Sequence, residues 1–313
     1  MIENYDIEND IRTRAAWLYY MEGLTQDAVA QSLGITRARV LRMLAACRED
    51  GTVQIRVTTQ LSSCVEFERK LEQRYQLERA VVIPKPQDHT KVSAIIGAAT
   101  GAFLEDIVAD GMSVGLGWGR TLSSILPHMP LRVFSKMTVV SLIGSLTRAK
   151  MFNPSEFAWR FADRLGAECL MMAAPVFAPD SLTREALVRH PGINEIFQHA
   201  QKLDLAIVSV GDLSPNSTMS TYGLLERDEI ATLVRAGAVG DILCRFIDAS
   251  GKVLAHPLND RVISAEPQML HSARRIILAS GGWEKAAAVK SALLLLEPEV
   301  LITDVDVAET LLA

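Results

Sequence analysis

The sequence predicts an α/β protein in two parts: an N-terminal (winged) helix-turn-helix domain, and a larger Rossmann-like domain whose mostly parallel sheet is covered by helices on both faces. Three observations carry that reading. Residues 26–46, QDAVAQSLGITRARVLRMLAA, have the spacing of two helices that meet at a steep angle across a short turn. From residue 80 onward, short β-rich apolar runs alternate with helical stretches, the rhythm of a parallel sheet. Several of those runs end in glycines just before a helix, the place where open α/β sheets bind ligands.

Length and composition agree with two domains. At 313 residues the chain is too long for a helix-turn-helix alone. Residues 1–57 are assigned to DNA binding, and residues 58–313 to effector binding and oligomerisation. An apolar fraction of 49% with 22% charged residues is ample for a large buried core. No apolar run reaches the roughly 18 residues of a membrane span, and the opening MIENYDIEND is acidic where a signal peptide would be basic. The expectation is a cytoplasmic protein without a membrane partner. Cys47, Cys64, Cys169 and Cys244 lie far apart with no C-x-x-C pair, which predicts reduced thiols, no metal site and no cofactor. The net charge of −5 excludes a protein that coats nucleic acid unspecifically, and is compatible with one basic helix in an acidic molecule.

In chain order, residues 11–21 place Ile11, Ala15, Leu18 and Tyr19 on one helical stripe that props the motif, with Trp17 and Tyr20 as core or rim packing and Gly23 as a C-cap. In the motif itself Ala30 is the small residue at the crossing, and Gly34 sits where a positive φ costs least. Thr25 and Thr36 are the predicted N-caps. Val29, Leu33, Ile35, Val40 and Leu44 fall on the buried sides. Gln26, Thr36, Arg37, Arg39 and Arg42 are the predicted DNA-contacting residues, because arginine forks bond guanine edges or clamp phosphates and the stretch 36–48 holds no acid. Residues 52–57, TVQIRV, alternate as a short strand and read as a wing, with Arg56 either at a phosphate or simply on the surface.

Residues 58–63 read as the linker and 61–77 as an amphipathic helix opening the large domain. Strands are predicted at 80–83, 113–116, 137–143, 205–210, 242–247, 276–279 and 300–302, and helices at 91–109, 154–165, 194–202, 226–235, 283–296 and 305–312. The strand ends carry the second set of candidates. Residues 115–121, GLGWGRT, follow a strand and precede a helix at 122–126; glycines let a ligand approach the backbone, and the amides with Thr121 offer an anion seat. Gly144 and Gly211 end two further strands, and Ser214, Asn216, Ser217 and Thr218 follow with groups suited to a polyol. In ASGGWEK a lysine, Lys285, stands in the first turn of a helix, where the dipole disfavours it unless an anion is present; it is either a phosphate ligand or a surface lysine. The six histidines are scattered singly without a catalytic motif, which favours binding over turnover.

Four stretches in order, LYYMEGLTQDAVAQSLGITRARVLRML with REDGTVQI, VGLGWGRTL, GLLERDEIATLVRAGAVGDILCRFIDASGKV, and ASGGWEKAAAVKSALLLLEPEVLITDVDVAETLL, resemble the SorC/DeoR-type family of sugar-binding bacterial transcriptional regulators over nearly the whole chain. The resemblance implies an effector domain similar to sugar-phosphate isomerases and deaminases, a homodimer or homotetramer, and control of a carbohydrate operon on double-stranded operator DNA by a sugar, polyol or sugar phosphate. It implies ligand-binding roles for Gly117, Trp118, Gly119, Arg120, Thr121, Gly211, Asp241 and Lys285, to which the strand-end reading adds Gly144, and no catalytic residue is expected. The alternative is an isomerase- or deaminase-like enzyme tethered to DNA. One departure matters: the second glycine turn, where the family often has G-x-G, reads SVGD. The carboxylate of Asp212 repels a nearby phosphate, so the ligand is either an unphosphorylated sugar alcohol or one whose phosphate sits at the Lys285 end.

Overall fold

The fold was obtained as a computed structural model, which describes residues 2–55, 62–129, 132–147 and 153–313. The chain divides into two compact units, Met1–Thr59 and Gln60–Ala313.

The first unit consists of α1 (Ile2–Tyr20), α2 (Gln26–Leu33) and α3 (Arg37–Glu49). Both predicted caps form: the Thr25 hydroxyl accepts from the Ala28 N–H at 3.2 Å and the Thr36 hydroxyl from the Arg39 N–H at 3.3 Å. Gly34 ends α2 at φ 65° and ψ 31°, the left-handed conformation that turns the chain into α3. Ala15, Ala16, Val29, Ala30, Val40, Met43, Leu44 and Cys47 form the core, with Leu33 and Ile35 packed on it half-buried. Small residues on α1 and α2 let the three helices close on so few apolar side chains.

Two expectations are corrected here. Trp17 is not packed but 58% exposed, because its position on α1 lies off the stripe formed by Ala15, Leu18 and Tyr19. Residues 52–55 do not form the strand of a wing. The Asp50 carboxylate takes both the N–H and hydroxyl of Thr52, at 2.9 and 2.6 Å, and the Val53 N–H donates to the Cys47 carbonyl at 2.8 Å. These bonds fold the segment back onto the end of α3. Arg56 and Val57 lie outside the described residues.

The second unit runs α4 (Ser62–Tyr75), β1 (Arg79–Ile83), α5 (Val92–Ile107), β2 (Ser113–Leu116), α6 (Arg120–Ser123), β3 (Thr138–Ser141), α7 (Pro154–Leu165), β4 (Glu168–Leu170), α8 (Ser181–Val188), α9 (Pro191–Ala200), β5 (Leu205–Val208) and β6 (Val210–Gly211). It continues through α10 (Thr218–Thr221), α11 (Arg227–Arg235), β7 (Ala238–Ile242), β8 (Arg245–Asp248), β9 (Ile276–Ala279), α12 (Ala286–Leu296), β10 (Val300–Asp304) and α13 (Val305–Leu312). Seven strands make one sheet in the order β1-β10-β9-β5-β2-β3-β4, and every pairing is parallel. β6, β7 and β8 form a separate antiparallel sheet.

The parallel sheet is buried on both faces, so its central strands are apolar throughout rather than alternating. Side chains still divide by the period of two. Ala206, Val208, Ile276, Leu278 and Leu301 join one core with Leu71 of α4, Ile196 of α9, Val289 of α12 and Leu311 of α13. Leu205, Ile207, Ile277, Ala279 and Ile302 join the other with Ile96 of α5 and Phe157 and Phe161 of α7. After β2 the chain turns outward to β3, and from β5 it moves the other way, to β9. The carboxyl ends of neighbouring β2 and β5 therefore flank a topological switch point, where the crevice of such a sheet opens.

One predicted strand is really two. Residues 242–247 are broken by a turn in which Leu243 and Cys244 both have positive φ, 53° and 63°, and the chain reverses from β7 into β8.

Candidate functional site

On the N-terminal unit, α3 presents the basic residues. Thr36 and Arg37 are exposed at its start, with Arg42 exposed further along and Arg39 half-buried. Arg37 reaches back to α2, its Nε donating to Gln26 Oε1 at 3.4 Å and lying 3.8 Å from Asp27 Oδ1. Arg39 lies 3.4 Å from Glu8 on α1. Arg42 makes no ion pair or hydrogen bond with the described residues, and it lines a groove with Glu8, Asn9, Arg12 and Arg39. Exposed pairs of this kind hold their side chains weakly, so the arginines can exchange them for phosphates or base edges.

In the second unit the pocket lies at the switch point. It is lined by Trp118, Gly119, Arg120 and Thr121 after β2, Ser209–Asp212 after β5, Thr218 and Met219 of α10, Asp241 of β7 and Lys285 before α12. Seven of the nine predicted ligand residues thus converge. Gly117 stands one residue behind, its N–H bonded to the Ile207 carbonyl at 2.9 Å, which ties the β2 loop to the end of β5. Gly144 is a correction. It does not line the pocket; a Cβ there would meet the Ala174 carbonyl at 2.7 Å and the Pro175 carbonyl at 2.8 Å, so its glycine serves close backbone packing.

Each contributor is fixed by its local fold. Gly119 has φ 118°, a conformation that swings the chain from Trp118 into α6 and brings Thr121 inward. Thr121, a lining residue, is 1% exposed, and its hydroxyl has no hydrogen-bond partner among the described residues. Gly211 and Asp241 are opposed across β6 and β7, and the Asp241 carboxylate fills the space beside the glycine. Asp241 Oδ2 accepts from the Cys244 N–H at 3.0 Å, a bond made possible by the tight β7–β8 turn. Asp212 Oδ1 accepts from the Ser214 N–H at 2.8 Å. Gly282, at φ 97°, donates its N–H to the buried Asp304 carboxylate, and this turn sets Lys285 at the pocket wall.

The electrostatics are mixed. Asp241 is 4% exposed, and burial pushes its carboxyl up to about 7 against the opposing pull of the Cys244 N–H and Lys285. Burial holds the Lys285 ammonium below the usual lysine range, opposed by Asp212, while Arg120 nearby pushes the same way as burial. Arg120 is exposed at the mouth and donates to the Asn216 carbonyl at 3.4 Å. Two cations and two carboxylates therefore share the lining, with no histidine or cysteine among them. The cavity is small, about 30 Å³, and opens into about 430 Å³ of empty space that includes open solvent. Asp212, Ser209 and Met219 were not among the predicted ligand residues, whereas Thr218 was one of the hydroxyls read as suited to a polyol. Asp212 stood out in the sequence only as a departure, and α10 is too short for a periodic signal.

Comparisons with known proteins fit this geometry. The family model Sugar-bind, described as "Putative sugar-binding domain", matches residues 59–313. The chain belongs to this family. Its relatives are regulators of the SorC/DeoR type. The erythritol catabolism regulatory protein EryD of Brucella abortus is 30% identical over 309 residues, covering 98% of each chain. The sorbitol operon regulator of Klebsiella pneumoniae is 28% identical over 319 residues, covering 99% of this chain and all of that one. The full-length structure of that regulator, SorC, superposes with a TM-score of 0.73 at 26% identity, over 97% of this chain and all of its own. These relatives are named for transcriptional control, and this Sugar-bind chain is a transcriptional regulator rather than a sugar-phosphate enzyme. Among the described residues, no helix is long and apolar enough to cross a membrane.

Proposed function

We propose that this regulator governs a carbohydrate or polyol catabolic operon in the bacterial cytoplasm, as a repressor whose operator affinity changes when a sugar, polyol or sugar phosphate enters the pocket at the ends of β2 and β5. Residues 1–57 carry the DNA-reading function and residues 58–313 the effector and oligomerisation functions. The supporting observation is the convergence of Trp118, Arg120, Thr121, Asp212, Asp241 and Lys285 on one crevice, with a buried hydroxyl that has no partner among the described residues. Relatives named for erythritol, sorbitol and deoxyribonucleosides support the same effector class.

The regulator acts as a homodimer or homotetramer, with recognition helices spaced about one DNA turn (~34 Å) or a multiple of it on a pseudo-palindrome. Gln26, Thr36, Arg37, Arg39 and Arg42 contact the DNA. Regulation requires that effector bind two conformations unequally. The test is thermal unfolding of the full chain against sugars, polyols and their phosphates; a ligand at 100 times its Kd adds about 2.7 kcal/mol. Stabilisation by a subset of the panel, lost in Lys285→Ala, is the expected result, and indifference to the whole panel contradicts the reading.

A further inference from the structure

The sequence left two places for a phosphate group: excluded by Asp212, or seated apart from it near Lys285. The structure removes the separation, because Asp212, Asp241 and Lys285 line one small pocket. We propose that this pocket selects a neutral polyol over the phosphate ester of the same polyol, and that Asp212 is the residue that enforces the choice. This selectivity rests on the reading of the pocket as the effector site.

Four features of the pocket point the same way. Lys285 and Arg120 would favour a phosphate, but the buried Asp212 carboxylate shares the lining with them and opposes one. Asp212 is only 7% exposed, and its Oδ1 is occupied by the Ser214 N–H; Oδ2 has no hydrogen-bond partner among the described residues. Asp241 likewise commits Oδ2 to the Cys244 N–H, while Oδ1 lies beside Gly211, where the missing Cβ leaves room for it.

A carboxylate oxygen in such a place accepts a hydroxyl proton in a charge-assisted bond and has nothing to donate to a phosphate oxygen. The fourth feature is the orphan Thr121 hydroxyl, which can both give and take a proton with a ligand hydroxyl. Donors from Lys285 and Arg120, acceptors from Asp212 and Asp241, and an amphoteric hydroxyl from Thr121 match the alternating needs of a chain of C–OH groups. A phosphate, itself an anion, sets a like charge against Asp212.

The test compares the Kd of the full chain for erythritol, ribitol and D-glucitol with that for erythritol 4-phosphate, ribitol 5-phosphate and glucitol 6-phosphate, by calorimetry. At least one free polyol should bind about 100-fold or more tighter than its own phosphate ester, the size of effect expected from one buried like-charge contact. Asp212→Asn should shrink that ratio to about threefold by strengthening the ester, and Thr121→Val should weaken the polyol about tenfold with little change for the ester. An ester that binds the natural chain as tightly as its polyol, or more tightly, overturns the selectivity while leaving a sugar-responsive regulator intact. Silence toward all six probes overturns the selectivity, while the effector reading falls only if the wider panel of sugars is silent as well. The comparison on the natural chain decides the matter even if a variant fails to fold.

Discussion

Gly211 and Asp241 stand opposite one another in register across β6 and β7, and the Asp241 carboxylate occupies the volume a Cβ on residue 211 would need. The glycine is thus the condition for a buried acid at the pocket floor. Gly211→Ala must displace Asp241, break its bond to the Cys244 N–H and spoil the lining together. The expected outcome is a stability loss of about 1–3 kcal/mol, from forcing atoms into a filled space, read by urea unfolding. Effector binding should fall at least tenfold beyond that, in a calorimetric titration of the still-folded fraction.

The same acid makes stability depend on pH. Its folded pKa, about 7, lies above its unfolded value near 3.9, so between those limits the folded state holds a proton that the unfolded state has released. Stability contributed by this group is complete below pH ~4 and is lost as pH rises toward 7, at up to about 1.4 kcal/mol per unit. Asp241→Asn should flatten the pH 5–7 part of the unfolding free-energy curve relative to the natural chain. A curve of equal slope in both proteins would show that Asp241 does not titrate in that window.

The basic helix gives a prediction independent of the pocket. Arg37→Ala or Arg42→Ala should lower operator affinity by about 1–3 kcal/mol where the side chain reads a base, or reduce the salt slope where it holds a phosphate. Thr36→Ala removes the α3 cap and should cost about 1 kcal/mol of stability in the N-terminal unit. Fluorescence anisotropy at several salt concentrations separates the two arginine roles.

A third structural dependence lies away from both sites. Arg245 is 5% exposed, and its guanidinium lies 2.7 Å from Glu266 Oε1, which also takes Arg184 at 3.2 Å. Removing that carboxylate takes the ion-pair partner from two guanidinium groups, one of them buried. Glu266→Gln should cost about 2–3 kcal/mol, below the full penalty for a buried pair because the Glu266 side chain is partly open to solvent. Denaturant unfolding monitored by tryptophan fluorescence checks it.

Much of this was legible in the sequence, and each failure has a local cause. The caps at Thr25 and Thr36, the turn at Gly34 and the parallel sheet follow from short-range rules, and the structure has them. The β7–β8 turn was hidden because Leu243 and Cys244 take positive φ without glycine or asparagine to mark it, inside an apolar run that reads as one strand. β4 has three residues and β6 two, too few for a period. The wing was an alternation in residue type alone: Val53 and Ile55 have strand chemistry, but the bonds to Asp50 and Cys47 turn the described part of the segment back. Gly144 was misread because a glycine needed for packing looks, from sequence, like one needed for a ligand. The pocket was found at its glycines, while Met219 and Ser209 carry no signal at all before the chain is folded.

The central claim is that the pocket and the basic helix communicate. It is tested most directly by measuring operator affinity of the full-length chain with and without a polyol that binds it, on DNA recovered by in vitro selection. A change in operator Kd of about tenfold or more is expected on saturation, which is the coupling a typical effector delivers. Lys285→Ala should keep the effector-free affinity and lose the change. An operator Kd that stays the same with a saturating, calorimetrically bound polyol would contradict the account.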